Sequence, residues 1–347
     1  MTSNMNKQII VLGTGGTIAG KSSSATDNVD YVASEVGVEA LLAAIPSLAN
    51  AAGKASYAGC DLVCEQVAQV DSKDMTFQVW QRLLARCTHW LAQPQVQGIV
   101  ITHGTDTLEE TAFFLHAALE TNKPVVLTCA MRPSTAVAPD GPQNLLDAFA
   151  VASSDQIKAG ISGVVAVCAS TIHSAVDVQK VHNYRLDAFS SGDAGALGYV
   201  KEGKLDIYRN LYRKNESNIP LASINIAYTA INNVANLLSF PSLPRVDIVL
   251  NHSGATGDIV LDLLAQRSVV SANKLAGIVV AATGNGTISK ALERALQTAE
   301  AAGVVVWRSS RCAFGSLVGK ADTQFGDSGG LTPVKARIAL MLFLTYQ

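Results

Sequence analysis

The stretch Ile9-Ile10-Val11-Leu12-Gly13-Thr14-Gly15-Gly16-Thr17-Ile18-Ala19-Gly20 decides the fold. Its first four residues are apolar, mostly β-branched and without alternation, the pattern of a strand covered on both faces in a parallel sheet. The glycines and threonines that follow end that strand in a turn rich in hydroxyls. Further along, Gly98–Ile101 is a second run of the same kind, and it leads into Thr102-His103-Gly104-Thr105-Asp106-Thr107. In open sheets of this type, ligands bind beyond the carboxyl ends of the strands, where both segments lie. Threonine there is a candidate nucleophile, and its hydroxyl needs a general base, a neighbouring cation or a tight backbone turn to become reactive.

Outward from these segments, strand-like runs (Ile9–Leu12, Asp61–Val70, Gly98–Thr102, Val125–Thr128, Val164–Cys168) alternate with helical ones (Val36–Ile45, Met75–Leu91, Thr107–Leu119, Asn144–Ala152). That is the βαβ rhythm of a doubly wound, mostly parallel sheet. Val176–Gly198 has neither period, carries Lys180, His182 and Arg185, and reads as a hairpin or irregular arm. From Gly203 the chain turns polar and Asn-rich as far as Pro241-Ser242-Leu243-Pro244, which reads as a linker. The rhythm resumes with strands Val246–Leu250, Leu275–Ala281 and Val304–Trp307 and helices Asp258–Gln266, Ile288–Ala302 and Pro333–Leu344. The expected fold class is therefore α/β with two doubly wound domains. Residues 1–204 carry the site, 205–244 form a linker and 245–347 make a smaller domain.

Composition narrows the function. A chain of 347 residues, 48% hydrophobic and 16% charged, is long enough for two cores. A net charge of -2 without a basic cluster argues against nucleic acid as a partner and favours a small molecule. No apolar stretch is long enough to cross a membrane, and no signal sequence is visible. The six cysteines (Cys60, Cys64, Cys87, Cys129, Cys168, Cys312) are scattered, several within apolar runs, which suits a reducing, cytoplasmic setting, with a periplasmic one as the alternative. Neither they nor the six histidines show metal-ligand spacing, so no metal is expected.

Two other motif readings compete. Gly15 to Ser22 fits the phosphate-loop pattern G-x-x-x-x-G-K-S, which works by opening a helix whose free N–H groups face the anion. Here Ser22-Ser23-Ser24-Ala25-Thr26-Asp27-Asn28-Val29-Asp30 follows, costing on the order of 3 to 5 kcal/mol as a helix relative to alanine, so a loop is expected instead. His103 suggests a serine-type triad, but no G-x-S-x-G elbow accompanies it, and it reads as a structural hydrogen-bonding group. In the second segment Thr105 and Asp106 place a hydroxyl beside a carboxylate. Either residue could simply cap the helix starting near Leu108, or the pair could be catalytic with Lys180 as its cation.

At this point the residues resemble a known family. Thr14 to Gly20, His103-Gly104-Thr105-Asp106-Thr107-Leu108-Glu109-Glu110-Thr111-Ala112 and Ala130-Met131-Arg132-Pro133-Ser134 are similar to the bacterial-type L-asparaginases, including the glutaminase-asparaginases. The likeness continues through Asp140-Gly141-Pro142, Asp177-Val178-Gln179-Lys180, Gly284-Asn285-Gly286 and Ser309-Ser310-Arg311, and so covers nearly the whole chain. It implies hydrolysis of L-asparagine to aspartate and ammonia through an acyl-enzyme on threonine, with no cofactor. Glutaminase activity, or a role as an amidotransferase component working with a partner chain, are the alternatives.

Carried over by position, the resemblance makes Thr17 the nucleophile, with Tyr31 assisting from the loop after it. Thr105, Asp106 and Lys180 form the second catalytic group, in which Lys180 eases proton loss from Thr105 and Asp106 also receives the substrate ammonium. The amides around Gly16 and along Gly104–Thr105 are expected to hold the oxyanion. Ser72 matches the binder of the substrate α-carboxylate, Ala130 and Lys73 flank the substrate, and Asn285 comes from a neighbouring subunit of a homotetramer. Lys73 stands where relatives usually carry Gln or Glu, and its charge repels an ammonium unless it turns to the substrate α-carboxylate or to an acidic neighbour.

Overall fold

The computed structural model describes residues 6–49, 54–155, 163–210, 234–267, 274–318 and 324–347. They form two compact units, Met1–Leu211 and Tyr212–Gln347.

The first unit is built on a nine-stranded sheet. Its middle comprises β1 (Gln8–Gly15), β5 (Cys60–Val70), β6 (Val96–Thr102), β7 (Val125–Thr128) and β8 (Val164–Cys168), all parallel, in the order β5-β1-β6-β7-β8. Helices α1 (Val38–Ala43), α2 (Phe77–Leu91), α3 (Leu108–Ala118) and α4 (Gly141–Ser153) alternate with these strands along the chain. Ile9, Val11, Val100 and Val126 join Leu41, Leu42, Leu145 and Phe149 in one core with α1 and α4. On α2 and α3, which pack together, Trp80 stacks on Phe114 with ring centroids 4.8 Å apart. Strands buried on both faces explain the unalternating runs. The strand order reverses beside β1, so the crevice between the carboxyl ends of β1 and β6 is the topological switch point where ligands bind in such sheets.

Antiparallel strands extend both edges: β4 (Ser56–Tyr57) pairs with β5, while β9 (Thr171–Ser174), β12 (Gly198–Lys201) and β13 (Lys204–Ile207) continue from β8. Two small hairpins stand apart, β2 (Lys21–Ser22) with β3 (Tyr31–Val32), and β10 (Gln179–Lys180) with β11 (Phe189–Ser190). The arm read from Val176 to Gly198 thus contains a two-residue ladder. The stretch read as a linker begins with strand β13 and ends with a short helix α5 (Val234–Ser239). Its centre, 211–233, lies outside the described residues.

The second unit has a parallel sheet in simple order, β14 (Arg245–Leu250), β15 (Leu275–Ala282), β16 (Val305–Ser310) and β17 (Gly326–Asp327). Helices α6 (Asp258–Arg267) and α7 (Lys290–Ala301) share a core with Ile278 and Val280. Helix α8 (Pro333–Thr345) packs on the opposite face, where a Cβ on Gly277 would meet Leu340 at 2.8 Å. No described helix is long and apolar enough to cross a membrane.

Candidate active site

The ends of β1 and β6 meet so closely that a Cβ on Gly16 would lie 2.3 Å from Gly104 Cα, and one on Gly104 2.5 Å from Ser72 Oγ. Gly16 also sits at φ 84°, a conformation that L side chains resist. Only glycine lets the two threonine segments converge. Thr14 Oγ1 fastens them further by donating to the Thr102 carbonyl at 2.8 Å.

Beyond Gly16 the chain makes a single 3₁₀ turn, Thr17–Ala19, and then enters strand β2, not an α-helix. The phosphate-loop pattern therefore lacks the helix it needs. Thr17 is 6% exposed, and its hydroxyl lies 2.6 Å from the phenol of Tyr31 on β3. The Gly16 amide, expected among the oxyanion donors, is committed elsewhere: it donates to Ser34 Oγ at 2.7 Å and to the Val70 carbonyl at 3.2 Å. Ser34, at φ 63°, donates in turn to the Val70 carbonyl at 2.7 Å, so the hydroxyl of a strained residue braces the turn.

The second segment is equally built. Thr105 is 5% exposed, and Lys180 on β10 donates from Nζ to Thr105 Oγ1 at 2.8 Å and to Asp106 Oδ1 at 2.7 Å. Neither Thr105 nor Asp106 caps α3. The N-cap position is Thr107, whose hydroxyl instead donates to the Ser72 carbonyl at 2.7 Å. Both candidate side chains are thereby left to Lys180. Ser72 Oγ accepts the Asp106 amide at 3.2 Å, which locks the 3₁₀ turn Ser72–Asp74 under the segment. Lys73 turns to acidic neighbours, pairing with Asp71 and, at 3.7 Å, with Asp74. The hydrogen bond to Asp71 holds its ammonium above the usual lysine range.

His103 is fully buried and has one neutral tautomer open to it. Its Nδ1 lies 2.7 Å from the Gly104 carbonyl, which can only accept, so Nδ1–H is the donor there. Nε2 is then the acceptor, taking the Thr111 hydroxyl at 2.8 Å, while Thr111 Oγ1 accepts from Trp80 Nε1 at 2.9 Å. Because the peptide is planar and trans, a pinned Gly104 carbonyl turns the Thr105 N–H the opposite way. Burial pushes the His103 pKa down to about 4. Its folded value lies below the unfolded one near 6.5, so this contribution is present above pH 6.5 and is lost as pH falls from 6.5 to 4, at most about 3 kcal/mol. His103→Gln, which keeps a donor and an acceptor, is expected to flatten the acid limb of stability in that window. Urea unfolding of both proteins at pH 4 to 7 checks it, and parallel curves would contradict it.

The Ala130–Ser134 motif follows the end of β7, the strand next to β6. Asp140 accepts the Met131 amide at 2.9 Å and the Arg132 amide at 3.0 Å, which fixes the turn after buried Ala130. Ser134 Oγ donates to the Gly20 carbonyl at 2.7 Å and ties this motif to the first segment. Among the described residues, no three His, Cys, Asp or Glu side chains lie together to hold a metal.

Comparison with known proteins accounts for these segments. Residues 8–213 match the model of the asparaginase N-terminal domain, and residues 245–347 match the glutaminase/asparaginase C-terminal domain. The chain belongs to the asparaginase family. It is 37% identical to L-asparaginase 2 of Escherichia coli, over 97% of this chain and 88% of that protein. To the glutaminase-asparaginase of Pseudomonas fluorescens it is 35% identical, over 97% and 86%. The crystal structure of a probable cytoplasmic L-asparaginase from Campylobacter jejuni matches with a TM-score of 0.83 at 36% identity, covering 98% of this chain and 96% of that one.

Set against the residues read as an asparaginase site, the structure brings Gly16, Thr17, Tyr31, Ser72, Gly104, Thr105, Asp106 and Lys180 into one hydrogen-bonded and packed neighbourhood. Asn285 lies in the second unit, where its amide donates to the Val318 carbonyl at 3.0 Å and accepts the Val318 amide at 2.7 Å. Ser34, Asp140 and Glu109 were not among those residues. Glu109 stood in the quoted motif, at the first turn of α3, and its only signal was that position.

Proposed function

We propose that this asparaginase-family protein hydrolyses the side-chain amide of L-asparagine, giving L-aspartate and ammonia, through an ester on Thr17. The observation that carries the proposal is the pair of hydroxyl centres at the ends of adjacent strands, Thr17 with Tyr31 at 2.6 Å and Thr105 with Lys180 at 2.8 Å. The Thr17 oxygen attacks the amide carbon, its proton leaves with the nitrogen as ammonia, and an ester remains. Water then attacks that ester, giving up a proton toward Thr105 while Thr17 regains its own. The fixed ammonium beside Thr105 lowers the cost of an alkoxide there and suits that hydroxyl to proton transfer. Asp106 gives Oδ1 to Lys180, which leaves Oδ2 for the substrate ammonium. The amides of Thr17 and Thr105 are the oxyanion donors.

A homotetramer in which Asn285 of a paired subunit completes the site belongs to the same proposal. So does a cytoplasmic address, favoured by six free cysteines. Glutamine is included as a slower substrate because a relative 35% identical is named glutaminase-asparaginase. Ammonia release measured in parallel on asparagine and glutamine tests the reaction. Faster release from asparagine, with equimolar aspartate, is expected, and no release from either would refute it.

A further inference from the structure

We propose that Glu109 is a positioning residue that holds the backbone of Lys180 so that its ammonium reaches Thr105 and Asp106; this rests on the reading of Lys180 as the cation of the second hydroxyl centre. The ladder that carries Lys180 is two residues long, Gln179 opposite Ser190 and Lys180 opposite Phe189, and so short a hairpin does not fix itself in water. The arm is anchored at its base, where Asp177 accepts from Ser174 Oγ at 2.7 Å and from Arg209 Nη2 at 2.5 Å. At the Lys180 end the anchor is Glu109, whose Oε2 accepts the Lys180 amide at 3.2 Å. The carboxylate acceptor makes that bond charge-assisted.

Glu109 lies in the first turn of α3, and Thr105 and Asp106 lie in the loop just before its N-cap Thr107. One short stretch of chain therefore holds both ends of the lysine: its amide through Glu109, and its Nζ, at 2.8 and 2.7 Å, through Thr105 and Asp106. The acidic residue also suits that helix end electrostatically. The lysine side chain has many rotamers, so a fixed backbone is what keeps its single working geometry populated. Without Glu109 the Lys180 amide turns to water, and a shift of about 1 Å at such a group costs up to about a hundredfold in rate.

The test uses the full chain with Glu109→Leu, which removes the acceptor, and Glu109→Gln, which keeps an oxygen there. For Glu109→Leu, kcat on asparagine is expected to fall about 10- to 100-fold with KM changed less than about threefold, and the peptide containing Lys180 is expected to exchange its amide hydrogens faster by mass spectrometry. Glu109→Gln is expected to keep both kcat, within about threefold, and the slow exchange. Glu109→Asp, one methylene shorter, is expected to fall between them and serves if the leucine variant does not fold. Parent-like kcat for Glu109→Leu, equal losses for Leu and Gln, or a rise in KM alone would overturn the assignment while leaving the proposed reaction standing. Full turnover by Lys180→Met, measured alongside, would overturn both.

Discussion

Thr17→Ala is expected to lower kcat on asparagine by at least about a thousandfold, about 4 kcal/mol of barrier, while the protein stays folded. The two halves of that result have separate causes. Chemistry fails because the alanine has no oxygen to bond the amide carbon. The fold survives because the turn is held by its backbone: Ala19 N–H donates to the Gly16 carbonyl at 3.1 Å, Gly20 N–H to the Thr17 carbonyl at 2.8 Å and Ser34 N–H to the Gly16 carbonyl at 3.1 Å. The hydroxyl that is lost has the half-buried Tyr31 phenol as its partner, and water can replace it there, at a cost of about 1 kcal/mol. Steady-state kinetics with a thermal melt measures both halves. Turnover within about tenfold of the parent, only about 1.4 kcal/mol, excludes Thr17 as the nucleophile.

The second large effect is expected at Lys180. Its side chain is 17% exposed, whereas that of its partner Asp106 is 54% exposed, so the ammonium is largely shielded and aimed at Thr105. Lys180→Met keeps the length and removes the charge, and it is expected to cost about a thousandfold in kcat, about 4 kcal/mol. Thr105→Val is expected to cost a similar amount. Since both act on one proton transfer, the double variant is expected to be less than about tenfold worse than the poorer single variant. Losses that multiply would show that the 2.8 Å contact is not a functional unit.

Most of the central sheet was legible because its strands are buried on both faces and leave unbroken apolar runs: Val125–Thr128 and Val164–Cys168 were read with the limits that the structure has. The edges were not legible, and the reason lies in their turns. The β4–β5, β8–β9 and β12–β13 hairpins turn through Ala58-Gly59, Ala169-Ser170 and Glu202-Gly203, with φ of 47° and 77°, 47° and 58°, and 49° and 70°. Such turns with positive φ at both positions are signalled in sequence by Asn-Gly or Asp-Gly, and alanine, serine or glutamate in the first position gives no such signal. The surrounding sheet imposes a conformation that these residues do not choose.

The site divides along similar lines. Thr17 and Thr105 were legible from their place at strand ends, whereas Lys180 sits in a segment of no clear period, 75 positions from Thr105, and needed the family resemblance. What could not be read from the chain was which backbone groups are already engaged. Gly16 looked like an oxyanion donor, but Ser34, 18 residues on, takes its amide. Thr105 or Asp106 could have capped α3, but Thr107 takes that position while its hydroxyl is drawn to Ser72. These outcomes depend on long-range packing between β1, β5 and β6, which no local pattern records.

The most direct measurement quenches the working protein with acid within milliseconds of mixing with asparagine and maps its peptides by mass spectrometry. An aspartyl ester on the peptide containing Thr17, absent from Thr17→Ala, is the predicted result. The same group found on the peptide containing Thr105, or hydrolysis proceeding with no covalent adduct at any time point, would contradict the account.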